Sequence, residues 1–227
     1  MQPQNTISIN EAWPSTLFLC DWGGHAEHTG AIATQIRRQA EGFDEPIASK
    51  VAQSAKSATG LVESPLDFFN STDDVGVQAL VSWIDNCVRA AVAKVNGGSV
   101  PPNQLQVNFN ESWFHITNDG GFHDAHSHGN CSWCGIFYLD AGNAADVPPE
   151  GSGVAGNGVN RFYSPMGWGG MVRDFGNSYL GRGYLDVQPT NGRMVIFPSH
   201  LLHSALPYRG DKDRIIISFN SVTTRRG

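Results

Sequence analysis

From Gln104 onward the chain reads as short apolar runs, at 105–109, 112–116, 135–139, 159–163, 184–187, 194–197 and 215–220, separated by Gly, Asn, Asp and Pro. Runs of this length are strands rather than helices. Several in succession, broken by turn residues, predict an antiparallel sandwich or barrel. The first hundred residues have another texture. Ile32, Ile36 and Ala40 recur at helical spacing over 26–41, ahead of Gly42. Over 72–96, Val77, Leu80, Val81, Ile84, Val88, Val92 and Val95 form one apolar stripe, with Ser71 as the expected N-cap, Asp74 three residues on and Gly97-Gly98 as the stop. The expectation is an α+β chain with one domain over 1–227: mainly helical support from 1–100 and a β core with the site over 101–227. The Gly-rich stretches 151–158 and 167–183, the second carrying Trp168 between glycines, read as long loops able to lid a pocket.

Composition narrows the class. Hydrophobic residues make up 40% and charged residues 16%, which suits a packed domain and not a disordered or coiled-coil chain. A net charge of −6 argues against an extended nucleic-acid surface. No apolar run approaches the ~20 residues needed to span a bilayer, and Met1-Gln-Pro-Gln-Asn-Thr lacks the basic and apolar regions of a signal peptide. The four cysteines do not make a disulfide scaffold in a chain of 227 residues. A cytoplasmic protein without a nucleic-acid or membrane partner is expected; a homodimer is left open.

Chemistry concentrates in the histidines, six of whose eight copies fall in 115–128 and 200–203. On a β-strand, side chains two apart share a face, so His126-x-His128 presents two imidazoles together. A third on a neighbouring strand, His203, completes one face of a metal site and leaves the other open. Imidazole suits Fe, Zn, Cu and Ni alike. Eleven residues after His203, Arg214 opens the run Arg214-Ile-Ile-Ile-Ser-Phe-Asn220. A guanidinium inside a β core needs an anionic partner, and its planar donors match a carboxylate. Asp211 and Asp213 precede it on a turn and are poor partners, so a small dicarboxylate between metal and Arg214 fits better. His25, His28 and His115 carry no spacing argument, His200 reads as outer-shell or surface, and Cys131-Ser-Trp-Cys134 reads as two small residues leading into a strand.

These residues carry a resemblance. His126-x-His128, Gly135-Ile-Phe-Tyr138-Leu, Asn160-Arg-Phe-Tyr-Ser-Pro165, Gly192-Arg-Met-Val-Ile-Phe-Pro-Ser199, His203 and the Arg214–Asn220 run are similar to motifs of the 2-oxoglutarate/Fe(II)-dependent dioxygenase superfamily, nearest to oxygenases of bacterial and phage origin. The resemblance covers about 113–220. It implies a double-stranded β-helix (jelly-roll) core, with His126 matching the first Fe(II) ligand and His203 the last; the strand spacing adds His128 to the set. It also implies 2-oxoglutarate gripped by Arg214 and assisted by Tyr138. The usual motif has Asp or Glu where this chain has His128; three neutral ligands leave the full charge of Fe(II) for the 2-oxoglutarate dianion to balance.

What the resemblance implies is hydroxylation of an unactivated carbon, consuming molecular oxygen and releasing succinate and CO2. In members that chlorinate amino acids, a His three residues before the first ligand, an earlier Glu and a late Asn contact substrate. His123, Glu111 and Asn220 stand in comparable places, and Trp168 joins them as a pocket candidate. The expected substrate is small and polar, such as an amino acid. Alternatives are a three-histidine cupin-type dioxygenase without 2-oxoglutarate, a radical halogenase of free amino acids, and a non-catalytic jelly-roll binding module.

Overall fold

The computed structural model describes residues 15–41, 60–145, 156–165 and 183–226. Among these residues, ten strands lie in two antiparallel sheets, accompanied by two α-helices. In chain order they are β1 (Phe18–Asp21), α1 (His25–Ala40), β2 (Leu61–Glu63), α2 (Val75–Val95), β3 (Leu105–Thr117), β4 (His123–His126), β5 (Trp133–Asp140), β6 (Asn160–Tyr163), β7 (Tyr184–Val187), β8 (Arg193–Pro198), β9 (His203–Ala205) and β10 (Arg214–Arg225). The large sheet runs β1-β8-β5-β10-β3-β2 and the small one β4-β9-β6-β7. This is a jelly-roll-like arrangement with two supporting helices.

Strand alternation explains why the central runs are apolar on consecutive residues. In β10, Ile215, Ile217 and Phe219 join Ile32, Ile36, Leu80, Ile84 and Val88 of the helices in one core. The intervening Ile216 joins Ile136, Val195 and Phe197 of the large sheet and Phe162 and Val187 of the small one in a second core. A strand covered by helices on one face and a sheet on the other must be apolar on both. Its few inward polar residues, Arg214, Ser218 and Asn220, are buried all the same. Gly135 belongs to this packing: a Cβ there would collide with the Phe219 ring.

Several expectations change. The helical half also supplies β1 and β2, the two edges of the large sheet; at four and three residues they are too short to show a period. The runs 105–109 and 112–116 are one strand, β3, with a bulge opposite Asn220/Ser221. Likewise β10 continues to Arg225, five residues past Asn220. The second helix begins later than expected: Asp74, not Ser71, is its N-cap, its carboxylate accepting from Val77 N–H at 3.0 Å. The Ser71 hydroxyl instead donates to Phe68 O, closing the preceding turn. Trp168, and the stretches 151–155 and 167–182 of the expected loops, lie outside the described residues. Among the described residues no helix is long and apolar enough to cross a membrane.

Candidate metal centre

A cavity of about 470 Å³ opens between the two sheets. Its histidine wall is built by the small sheet. β4 pairs with β9 so that His126 lies opposite His203, with ring centroids 4.3 Å apart. His128 is not on the strand, as its spacing suggested. It follows β4 by two residues, in a segment pinned where His128 N–H donates to Ser199 O at 3.0 Å. The ring still converges, 5.1 Å from His126 and 5.4 Å from His203. One nitrogen of each of the three lies within 4.8 Å of the others, an arrangement able to hold a metal ion.

Hydrogen bonds set which nitrogens are available. His126 Nδ1 lies 2.8 Å from Asp124 O and His203 Nδ1 2.9 Å from Leu201 O. A carbonyl only accepts, so each Nδ1 carries the proton and each Nε2 keeps its lone pair for a metal. His128 is held differently. Its Nδ1 is 3.3 Å from Asn220 Nδ2, an amide group that also donates to Glu111 Oε2 at 2.6 Å. Accepting from that amide leaves the His128 proton on Nε2. Ligation through Nε2 therefore requires a proton shift or a turn of the Asn220 amide, whose oxygen is buried without a partner among the described residues.

Burial keeps the rings neutral, as metal binding requires. Desolvation first, then the neighbouring His126, pushes His203 down to about 3 and His128 to about 4. His123 falls to about 3 for the same two reasons, and burial also lowers His126. These groups are neutral in the fold but titrate near 6.5 once unfolded, so unfolding takes up protons below that pH. Stability of the metal-free protein is expected to be full above pH 6.5 and to fall as pH drops toward 4, by on the order of 1–2 kcal/mol per histidine. Urea midpoints at stepped pH test this, and His123→Gln should flatten the profile. Equal slopes in variant and wild type would show that carboxylates elsewhere carry the acid sensitivity.

The other expected residues are placed as follows. Tyr138 and Arg214 are both buried; neither lines the cavity itself, and both bond to Asn160, which does. The Tyr138 hydroxyl donates to Asn160 Oδ1 at 2.9 Å, and Arg214 Nη2 donates to the same oxygen at 2.9 Å. Arg214 Nε is buried with no partner among the described residues. Burial pulls the Arg214 pKa down, opposed by Tyr138 and Tyr208. Asp213 turns away from Arg214, toward Asn118 and Arg37. His123, Glu111 and Asn220 all line the cavity. Glu111 and Asn220 are cross-strand partners, and Glu111 also accepts from Asn130 Nδ2 at 3.0 Å. His200 is exposed.

Three cavity residues, His115, Glu63 and Asn160, carry no role in the sequence reading. His115 is buried, with Nε2 2.7 Å from Glu63 Oε2, and its ring stacks on His123 at 5.9 Å. It shares a strand face with Glu111 and Trp113 at i, i+2, i+4, a spacing visible in the sequence. Glu63 reaches the cavity only through the pairing of β2 with β3, and no local pattern marks it. Asn160 was legible as a motif member but not as the shared acceptor of Tyr138 and Arg214. The thiols of Cys131 and Cys134 lie 3.5 Å apart, and Cys134 lines the cavity.

Residues 111–220, the segment holding all these groups except Glu63, match the family described as "Putative 2OG-Fe(II) oxygenase". The segment is similar to the 2-oxoglutarate/Fe(II) oxygenase superfamily. The protein is thus a dioxygenase that uses Fe(II) and 2-oxoglutarate. Solved oxygenases share its fold. A Pseudomonas putida prolyl-4-hydroxylase is 17% identical, with 94% of each chain covered and a TM-score of 0.53. The viral collagen prolyl hydroxylase of Paramecium Bursaria Chlorella virus-1, in complex with 2-oxoglutarate, is 11% identical over 91% of this chain and 96% of that one, at 0.51. HygX from Streptomyces hygroscopicus, with nickel, 2-oxoglutarate and hygromycin B bound, is 12% identical over 91% and 82%, at 0.52. At such identities the likeness speaks for the fold. No curated protein sequence matches the chain.

Proposed function

We propose that this oxygenase is a hydroxylase of a small polar substrate, such as an amino acid, bound in the cavity beside the three histidines. His126, His128 and His203 hold Fe(II); Arg214 and Tyr138 hold the distal carboxylate of 2-oxoglutarate; His123, Glu111 and Asn220, with Trp168, contact substrate. The two antiparallel sheets support a double-stranded β-helix as the core, built mainly from 101–227 with β1 and β2 added at the edges of the large sheet; we take 1–227 to be one oxygenase domain.

The observation that carries the reading is the state of Arg214. A guanidinium 2% exposed, with an unpartnered Nε and only a neutral amide oxygen as hydrogen-bond partner among the described residues, is costly unless an anion completes it. A dicarboxylate cosubstrate supplies that anion. A three-histidine dioxygenase without 2-oxoglutarate leaves Arg214 unexplained. A halogenase needs an open coordination position, and His128 fills the place that would provide it.

Iron and 2-oxoglutarate, when bound, supply the oxidising power for hydroxylation. The protein's own groups do the placing. Backbone carbonyls orient two imidazoles, Arg214 and Tyr138 fix the far end of the keto acid, and Phe162, Phe197 and Ile216 keep the surroundings apolar. At the other side, Glu111 Oε1 and Oε2 are oriented by Asn130 and Asn220 and offer acceptors to an ammonium.

Screening free amino acids, short peptides and apolar metabolites for stimulated succinate release tests the substrate class. Amino acids should stimulate. Stimulation by peptides or apolar compounds alone would overturn the small-polar reading while leaving the iron and cosubstrate assignments standing.

A further inference from the structure

A buried arginine ordinarily sits against a carboxylate. Among the described residues Arg214 has none: its guanidinium is tied to Asn160 Oδ1, 2.9 Å from Nη2. The same oxygen accepts from Tyr138 at 2.9 Å. Two donors converge on one atom, so that atom must be the oxygen of the amide, and both its lone pairs are used. Asn160 is 3% exposed. It stands on β6 in the small sheet, held between Val187 and Ala205, whereas Tyr138 and Arg214 come from the large sheet. The Arg214 stem is packed in as well. At Gly158, with φ +60°, a Cβ would lie 3.4 Å from Arg214 Cδ and 3.0 Å from Tyr208 Cδ2.

An aspartate at 160 would have nearly the shape of asparagine and would accept both bonds more strongly. Its charge would also complete an ion pair inside the protein and leave Arg214 with nothing to attract. We propose that Asn160 is the selectivity residue of the cosubstrate site: a neutral acceptor that positions Arg214 and Tyr138 without cancelling the arginine's charge, so that this charge selects a keto acid with a second carboxylate. The proposal rests on the reading that Arg214 binds 2-oxoglutarate. Asn160 acts through Arg214 and is a positioning residue; it takes no part in the chemistry.

Dissociation constants for 2-oxoglutarate and its uncharged-end analogue 2-oxoglutaramate, measured anaerobically by tryptophan quenching on the Mn(II)-loaded protein, test it. Wild type should prefer the dicarboxylate. Asn160→Asp should lose 2-oxoglutarate affinity by roughly thirtyfold or more, the scale of a buried charge pair. Its affinity for 2-oxoglutaramate should change far less, so the preference collapses. Its Mn(II) affinity and its thermal midpoint without keto acid should not fall. Asn160→Ala, which leaves the arginine charge uncompensated, should weaken both ligands and keep the preference for the dicarboxylate. A wild-type preference in Asn160→Asp overturns the proposal, as does a collapsed preference in Asn160→Ala. If Asn160→Asp does not fold, unchanged 2-oxoglutarate affinity in Asn160→Ala overturns it instead. Arg214→Ala separates the two levels. Wild-type 2-oxoglutarate affinity there removes the underlying assignment, whereas a defective Arg214→Ala beside a wild-type-like Asn160→Asp removes only the role of Asn160.

Discussion

Arg214→Ala is expected to raise the KM for 2-oxoglutarate by roughly thirtyfold or more while leaving Fe(II) affinity nearly intact. The size follows from the surroundings of the side chain. The guanidinium is buried, its Nε has no partner among the described residues, and its hydrogen-bonded neighbour Asn160 is neutral. Losing one half of a desolvated, hydrogen-bonded charge pair costs on the order of 2–5 kcal/mol. The substitution also removes an unpaired buried cation from the free protein, so the variant should fold without penalty beyond the cavity left by the side chain. Steady-state succinate release against 2-oxoglutarate concentration, with metal titrated separately, measures both quantities. A folded variant with unchanged KM would falsify the assignment.

The second large effect concerns the histidines. His126→Ala and His203→Ala should each weaken Fe(II) binding by on the order of a hundredfold or more, since even outer-shell partners of a ligand are worth 10–100-fold. Both rings are oriented for ligation by a backbone carbonyl, and their position across the β4–β9 pair is set by the sheet itself. His128→Ala should cost less, about tenfold, because wild-type His128 must first give up its hydrogen bond with the Asn220 amide. Anaerobic titration with Fe(II) in the presence of 2-oxoglutarate, following the visible charge-transfer band of a chelated keto acid, ranks the three. Wild-type iron affinity in His128→Ala would reduce the set to two histidines and reopen the site to another ligand.

Much of the scaffold was legible in the chain because it obeys local periods. The apolar stripe of α2 was read within three residues of its observed start. The runs at 135–139, 194–197 and 215–220 became β5, β8 and β10, the centre of the large sheet. Their consecutive apolar residues reflect burial on both faces, a requirement that each residue meets separately and that therefore shows in the sequence. The histidines were legible for a related reason: a metal site demands particular side chains, and those side chains are rare elsewhere.

What only the tertiary structure decided is the wiring between them. His128 reaches its neighbours from a segment beyond the strand, fixed by a backbone bond to Ser199. Glu63 enters the cavity because a three-residue edge strand pairs with β3, and Asp74 displaces Ser71 as the cap because the chain closes a turn just before it. Asn160 joins Tyr138 and Arg214 from the opposite sheet, 22 and 54 residues away in the chain. A single polar residue has no period, and its value depends on which groups face it. Composition and spacing thus determined a β core with a histidine cluster and an arginine inside it; the registers of the two sheets determined which carbonyls face those imidazoles and that an amide faces Arg214.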